Sequence, residues 1–167
     1  MLYNFIFRMV ITMIIFIGLK LKNFSSLPIL IIILFVLDEL DSNFPTAHGF
    51  LKYTKTLTFE YQKYDKICDW LVYLVFLILF RNLFDNFTQK LLFFFLFWRL
   101  IGIIQFYRTG KTFYVKIFAD FINSTLIAYA VYQYFSLKRS YYYLLIVLFM
   151  ILKIGFEAVL HRRSNYE

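Results

Sequence analysis

Charge is what this chain has least of: 17% of its 167 residues are Asp, Glu, Lys or Arg, where an ordinary soluble domain carries about a quarter. The shortage falls on one sign, with 10 acidic residues against 18 basic ones. Apolar residues make up 62% of the chain and aromatics 23%. A soluble fold of this size has too much surface to leave so much Phe, Ile and Leu without polar cover. That excludes a water-soluble domain and implies a polytopic membrane protein, built as one compact unit over residues 1–167. Cysteine is nearly absent. Cys68 alone permits neither an internal disulfide nor a zinc cluster. Two histidines, His48 and His161, are too few for a haem pair or a His-rich di-iron centre. The net charge of +8 is not gathered into any Lys/Arg block. Single basic residues between apolar runs set topology and meet anionic lipid headgroups, so the charge points to membrane lipids and away from nucleic acid.

What the chain does contain is apolar runs of spanning length. Segments 2–21, 25–42, 67–84, 91–107, 113–136 and 140–160 approach the ~20 residues a spanning helix needs. The expected fold class is therefore all-α, a membrane bundle of about six transmembrane helices. The first segment is read as a retained helix, because "NFSSLP" is a poor cleavage site for a signal peptide. With six spans, one side of the membrane carries ten Lys/Arg and the other six, with Arg99 and Lys153 inside spans. The positive-inside rule then puts both termini and the 43–66 connection in the cytoplasm.

The scarce acids are not scattered. Asp38, Glu39, Asp41, Glu60, Asp65 and Asp69 lie within one window. The run "LPILIIILFVL" is too short to cross ~30 Å at 1.5 Å per residue, so the second span must continue through Asp38 and Asp41. Asp65 and Asp69 directly precede "WLVYLVFLILF" and start the third span. Spacings of i, i+3 and i, i+4 put each pair on one helix face. Acids at a helix start are ordinary caps and first-turn residues, which suits Asp65 and Asp69. Acids at a helix end oppose the dipole, so Asp38 and Asp41 imply an external cation. Mg²⁺ or Mn²⁺, held by few carboxylates with positions left for water and phosphate, meets that need.

D-x-x-D ending one span and D-x-x-x-D opening the next resembles the CDP-alcohol phosphatidyltransferases, whose signature is D-x2-D-G-x2-A-R-x8-G-x3-D-x3-D. The resemblance in layout covers most of the chain. It implies that Asp38, Asp41 and Asp65 ligate metal, and that Asp69 both ligates metal and takes the proton from an acceptor hydroxyl. The Arg position is held by Lys52, which the resemblance makes a contact to the donor. Ser42 follows Asp41 where the family has Gly, and His48 and Tyr61 hold the other two glycine positions once the extra "SNFPTA" is set aside. Arg108 and Lys111, between the fourth and fifth spans, are placed to meet a lipid phosphate. Implied partners are a CDP-linked donor, a lipid or small alcohol acceptor and membrane lipids, and a homodimer stays open. Two functions follow: a Mg²⁺- or Mn²⁺-dependent phosphatidyltransferase of phospholipid synthesis that releases CMP, or a non-catalytic membrane bundle. Arg99, Asp120, Lys153 and Glu157 fall inside spans and are expected to pair, because a mid-membrane charge costs roughly 2.5–3.5 kcal/mol.

Overall fold

The computed structural model describes residues 2–34, 59–111 and 113–162. These residues form helices joined by short turns, with no strand among them. The helices are α1 (Leu2–Leu21), α2 (residues 27–34), α3 (Phe59–Phe80), α4 (Asn86–Thr109), α5 (Phe113–Ile117), α6 (Ile122–Tyr134) and α7 (Arg139–Arg162). Backbone contacts divide the chain into two compact units, Met1–Leu83 and Phe84–Glu167.

In the first unit α1 packs on α3. The seam is aromatic: the ring of Phe16 lies 5.6 Å from Phe76 and 5.8 Å from Phe80, and Phe76 lies 5.4 Å from Phe80. All three side chains are buried. Tilted and edge-on ring pairs of this kind add about 0.5–1.5 kcal/mol each beyond their area. Pro28 sits in the first turn of α2, where its missing N–H costs nothing. α3 begins at Phe59, eight residues before the start that hydropathy predicts at 67. A short 3₁₀ turn, Arg81–Leu83, ends it.

In the second unit α4 is the central element, packing against α5 and α6, while α7 packs on α6 and α5. Asp85 stands in extended backbone before α4, and its Oδ1 accepts from Thr88 N at 2.7 Å. That N-cap starts the helix at Asn86, five residues ahead of the apolar run. At the other end Gly110, at φ 70°, donates its N–H to Phe106 O and closes α4 in the left-handed conformation that glycine alone adopts freely. The buried face of α4 runs through Leu92, Phe95, Arg99, Gly102, Ile103 and Phe106. Its other face leaves Phe94, Phe97, Ile101 and Ile104 exposed.

α4 is long and apolar enough to cross a membrane, and Met9–Leu21 is a shorter apolar helical stretch. The 24 residues of α4 reach ~36 Å, more than a hydrocarbon core of ~30 Å.

The run 113–136, expected as one span, is broken. Residues 118–121 are not helical and separate α5 from α6. In a continuous helix Ile122 N–H would donate to Phe118 O. Here Ile122 N donates instead to Asp120 Oδ1 at 3.0 Å, and Phe118 O accepts from Arg99 Nη1 at 2.9 Å. A short acidic side chain competes with the helix for a nearby amide, and a buried guanidinium takes the carbonyl left over. Hydropathy cannot register either event.

Gly102 is where α4 comes closest to this break. A Cβ there would lie 2.3 Å from Phe118 Cβ. Gly102→Ala is expected to lower stability by about 1–3 kcal/mol, the usual cost of overpacking. Gly18→Ala in α1, where an added Cβ meets nothing within 4 Å, is expected to be neutral or stabilising by up to ~1 kcal/mol. Thermal unfolding of the two variants in detergent checks both.

Candidate functional site

The candidate site begins on α3. Asp65 and Asp69 are the seventh and eleventh residues of a helix that starts at Phe59. Neither lies in the first turn, so capping does not account for them. Four residues apart, they share one face. Both are partly buried, with 19% and 18% of their side chains exposed. Two carboxylates this withdrawn from water need positive charge beside them. Lys66 supplies it. Its Nζ lies 2.6 Å from Asp65 Oδ2 and 3.8 Å from Asp69 Oδ2. Cys68, between them in sequence, is buried, as a small apolar side chain would be.

Of the other residues the sequence singles out, Asp38, Asp41 and Lys52 lie outside the described residues. Among the described residues no group of three or more His, Cys, Asp or Glu comes together. Asp65 and Asp69 are thus the described half of the expected four-carboxylate arrangement. Their chemistry is that of hard oxygen donors, which suits Mg²⁺ or Mn²⁺. Arg108 and Lys111 belong to the second unit, exposed at the C-terminal end of α4 and just beyond it. Thr109 Oγ1 donates to Gln105 O at 2.8 Å and accepts from Lys111 N at 3.2 Å, which ties this turn back onto the helix.

A second polar cluster lies inside the second unit. Arg99 is only 8% exposed, on the buried face of α4. It reaches the α5–α6 break through the Phe118 carbonyl, two residues before Asp120. Ser124 Oγ donates to Phe149 O at 3.4 Å, and Thr125 Oγ1 to Phe121 O at 2.9 Å. The Asn123 Oδ1 and Trp98 Nε1 atoms are buried without a hydrogen-bond partner among the described residues. The Glu157 side chain is outside those described.

Sequence reasoning passed over a third cluster, at the start of α4. The Tyr129 hydroxyl accepts from Asp85 N at 3.1 Å and from Gln133 Nε2 at 2.7 Å. Thr88 Oγ1 and the Tyr142 hydroxyl are 2.8 Å apart and hydrogen bonded. Tyr142 stacks on Tyr132 at 4.9 Å and meets Tyr129 edge-on at 5.6 Å. α6 and α7 are thereby tied to the first turn of α4. The available signal was Asp85 three residues before Thr88, an N-cap spacing that apolar length does not register.

Compared with known protein families, curated proteins and solved structures, the chain finds no match in any of the three.

Removing either half of the split hydrogen bond tests the second cluster. Asp120→Ala takes the side-chain acceptor from Ile122 N and is expected to cost about 0.5–1.5 kcal/mol, the net worth of one hydrogen bond. Arg99→Leu leaves the Phe118 carbonyl without its guanidinium donor and is expected to cost ~1–3 kcal/mol. Denaturation in detergent, with helix content followed by circular dichroism, measures both.

Proposed function

We propose that the chain is a multi-pass integral membrane protein with a phosphatidyltransferase-like site at the start of α3. The membrane reading is supported by bulky apolar side chains left uncovered on separate helices. α1 exposes Ile6, Val10, Ile14 and Ile17, and α7 exposes Leu144, Val147, Leu148 and Ile151, in addition to the outer face of α4. Soluble monomers rarely leave large continuous apolar patches to water. In hydrocarbon the same faces carry no penalty.

The observation that carries the site is the position of Asp65 and Asp69, partly buried, one turn apart and inside the helix. With Asp38 and Asp41 they would hold one or two divalent ions. Bound there, such ions neutralise charge on a pyrophosphate. The reaction is a displacement at phosphorus. An acceptor hydroxyl gives its proton to Asp69, and its oxygen bonds to the proximal phosphorus of a CDP-linked donor. The bond from that phosphorus to CMP breaks, and CMP leaves with the electron pair. Arg108 and Lys111 suit a lipid phosphate as exposed cations, in keeping with this substrate class.

A second reading, a non-catalytic membrane bundle, is favoured by Lys66. Its ammonium already offsets part of the charge on Asp65 and Asp69. A pair with a cation of its own helix beside it has less need of a metal.

The readings separate in one experiment. The purified chain, in mixed lipid micelles with Mn²⁺, is given CDP-diacylglycerol or, separately, CDP-choline with diacylglycerol, each with an acceptor panel. Metal-dependent CMP release is expected, with Asp69→Asn reducing it at least ~100-fold, the low end for loss of a general base. Lys66→Gln is expected to tighten Mn²⁺ binding, measured by calorimetry, because it removes the competing cation. No release, with Mn²⁺ binding undetectable in the parent and in Lys66→Gln, establishes the non-catalytic reading.

A further inference from the structure

The turn between α6 and α7 joins two features that the proposed transfer chemistry does not use. One is an open apolar groove of about 520 Å³ along α7, lined by Leu137, Tyr141, Leu144, Leu148 and Ile151. The other is the basic pair Lys138–Arg139 at its head. Lys138 is exposed and makes no ion pair with a described residue. Arg139 is held from below, 3.9 Å from Asp85 Oδ2, with its guanidinium 5.9 Å from the ring centre of Phe87 and 6.0 Å from that of Tyr143. This long contact leaves 58% of the Arg139 side chain exposed, room for a second anion. Tyr134, Phe135 and Tyr141 are exposed around the same turn, the composition of a membrane–water interface.

We propose that this face of α7 binds one anionic phospholipid, its phosphate on Lys138 and Arg139 and an acyl chain along the groove. The inference rests on the membrane reading above but not on the transfer chemistry. Length agrees: Arg139 to Ile151 is ~18 Å of helix, enough to follow an acyl chain through a leaflet whose hydrocarbon is ~15 Å deep. Charge agrees as well, since a Lys and an Arg at the head of an apolar face can each donate charge-assisted hydrogen bonds to one lipid phosphate. A second copy of the chain fits less well. Helices that associate in membranes do so through Gly, Ala, Ser and Thr, which let backbones approach, and none of these lines the groove. Two copies sharing this face in one membrane would also set both basic pairs at the same end, where like charges repel.

The test uses the full chain. Alkaline carbonate extraction of membranes comes first, and a chain released by carbonate would overturn both the membrane reading and this site. A chain that stays is purified in detergent and titrated with phosphatidylglycerol and phosphatidylcholine of identical acyl chains, with bound lipids counted by native mass spectrometry. One phosphatidylglycerol is expected to be retained in preference, and Lys138→Gln to reduce the preference about fivefold, the effect of one basic residue at a membrane surface. Leu148→Asn, on the open face of the helix, is expected to weaken both lipids alike and keep the preference. Equal retention of the two lipids, a preference unchanged in Lys138→Gln, or a stable dimer that excludes lipid from α7 would each overturn the proposal while the membrane reading stands.

Discussion

One backbone hydrogen bond that does not form organises the second unit. Phe118 O and Ile122 N would pair in a continuous helix, and each is taken by a side chain instead, Arg99 on the carbonyl and Asp120 on the amide. A buried guanidinium needs acceptors, and a carbonyl released from a helix needs a donor, so the two requirements meet. The break ends α5 and lets α6 start afresh at Ile122. α6 is then only ~20 Å long, shorter than a hydrocarbon core. Gly102 permits this geometry, because any side chain there would enter the space of Phe118. Charge inside an apolar unit thus serves shape.

The ends of the helices are fixed by different chemistry. The start of α4 is held by an acid cap and by tyrosine hydroxyls from α6 and α7. Tyrosine suits this position, since its ring packs like Phe while its hydroxyl satisfies a backbone amide or a threonine. Arg139 extends the same corner outward through Asp85, Phe87 and Tyr143. An apolar face, an aromatic collar and a basic pair therefore follow one another along the α6–α7 turn and α7.

On α3 the balance is electrostatic. Asp65 and Asp69 lie inside the helix and partly out of water, so their charge must be met by a neighbour. Lys66 meets it at short range to Asp65 and at longer range to Asp69. A lysine–carboxylate contact still open to solvent contributes little to stability, and this one lies between adjacent residues on a single helix.

Much of the helical layout was legible from composition and hydropathy. The apolar runs at 2–21, 91–107 and 140–160 correspond to α1, α4 and α7, because burial or lipid contact requires runs of that length and hydropathy measures it. The carboxylate spacing also established that Asp65 and Asp69 share a face, since helical periodicity is local. The pairing of Asp65 with its neighbour Lys66 was equally local, yet a hydropathy start near residue 67 hid it by making these acids caps. The tertiary structure alone decided the rest. Arg99 lies 19 residues from the carbonyl it holds and Thr88 lies 54 from the hydroxyl of Tyr142. No window of sequence reports partners so distant. Sequence thus determined which segments are helical and apolar, a property of consecutive residues. Where a helix breaks, and which polar atoms meet across the unit, depended on packing between residues that only folding brings together.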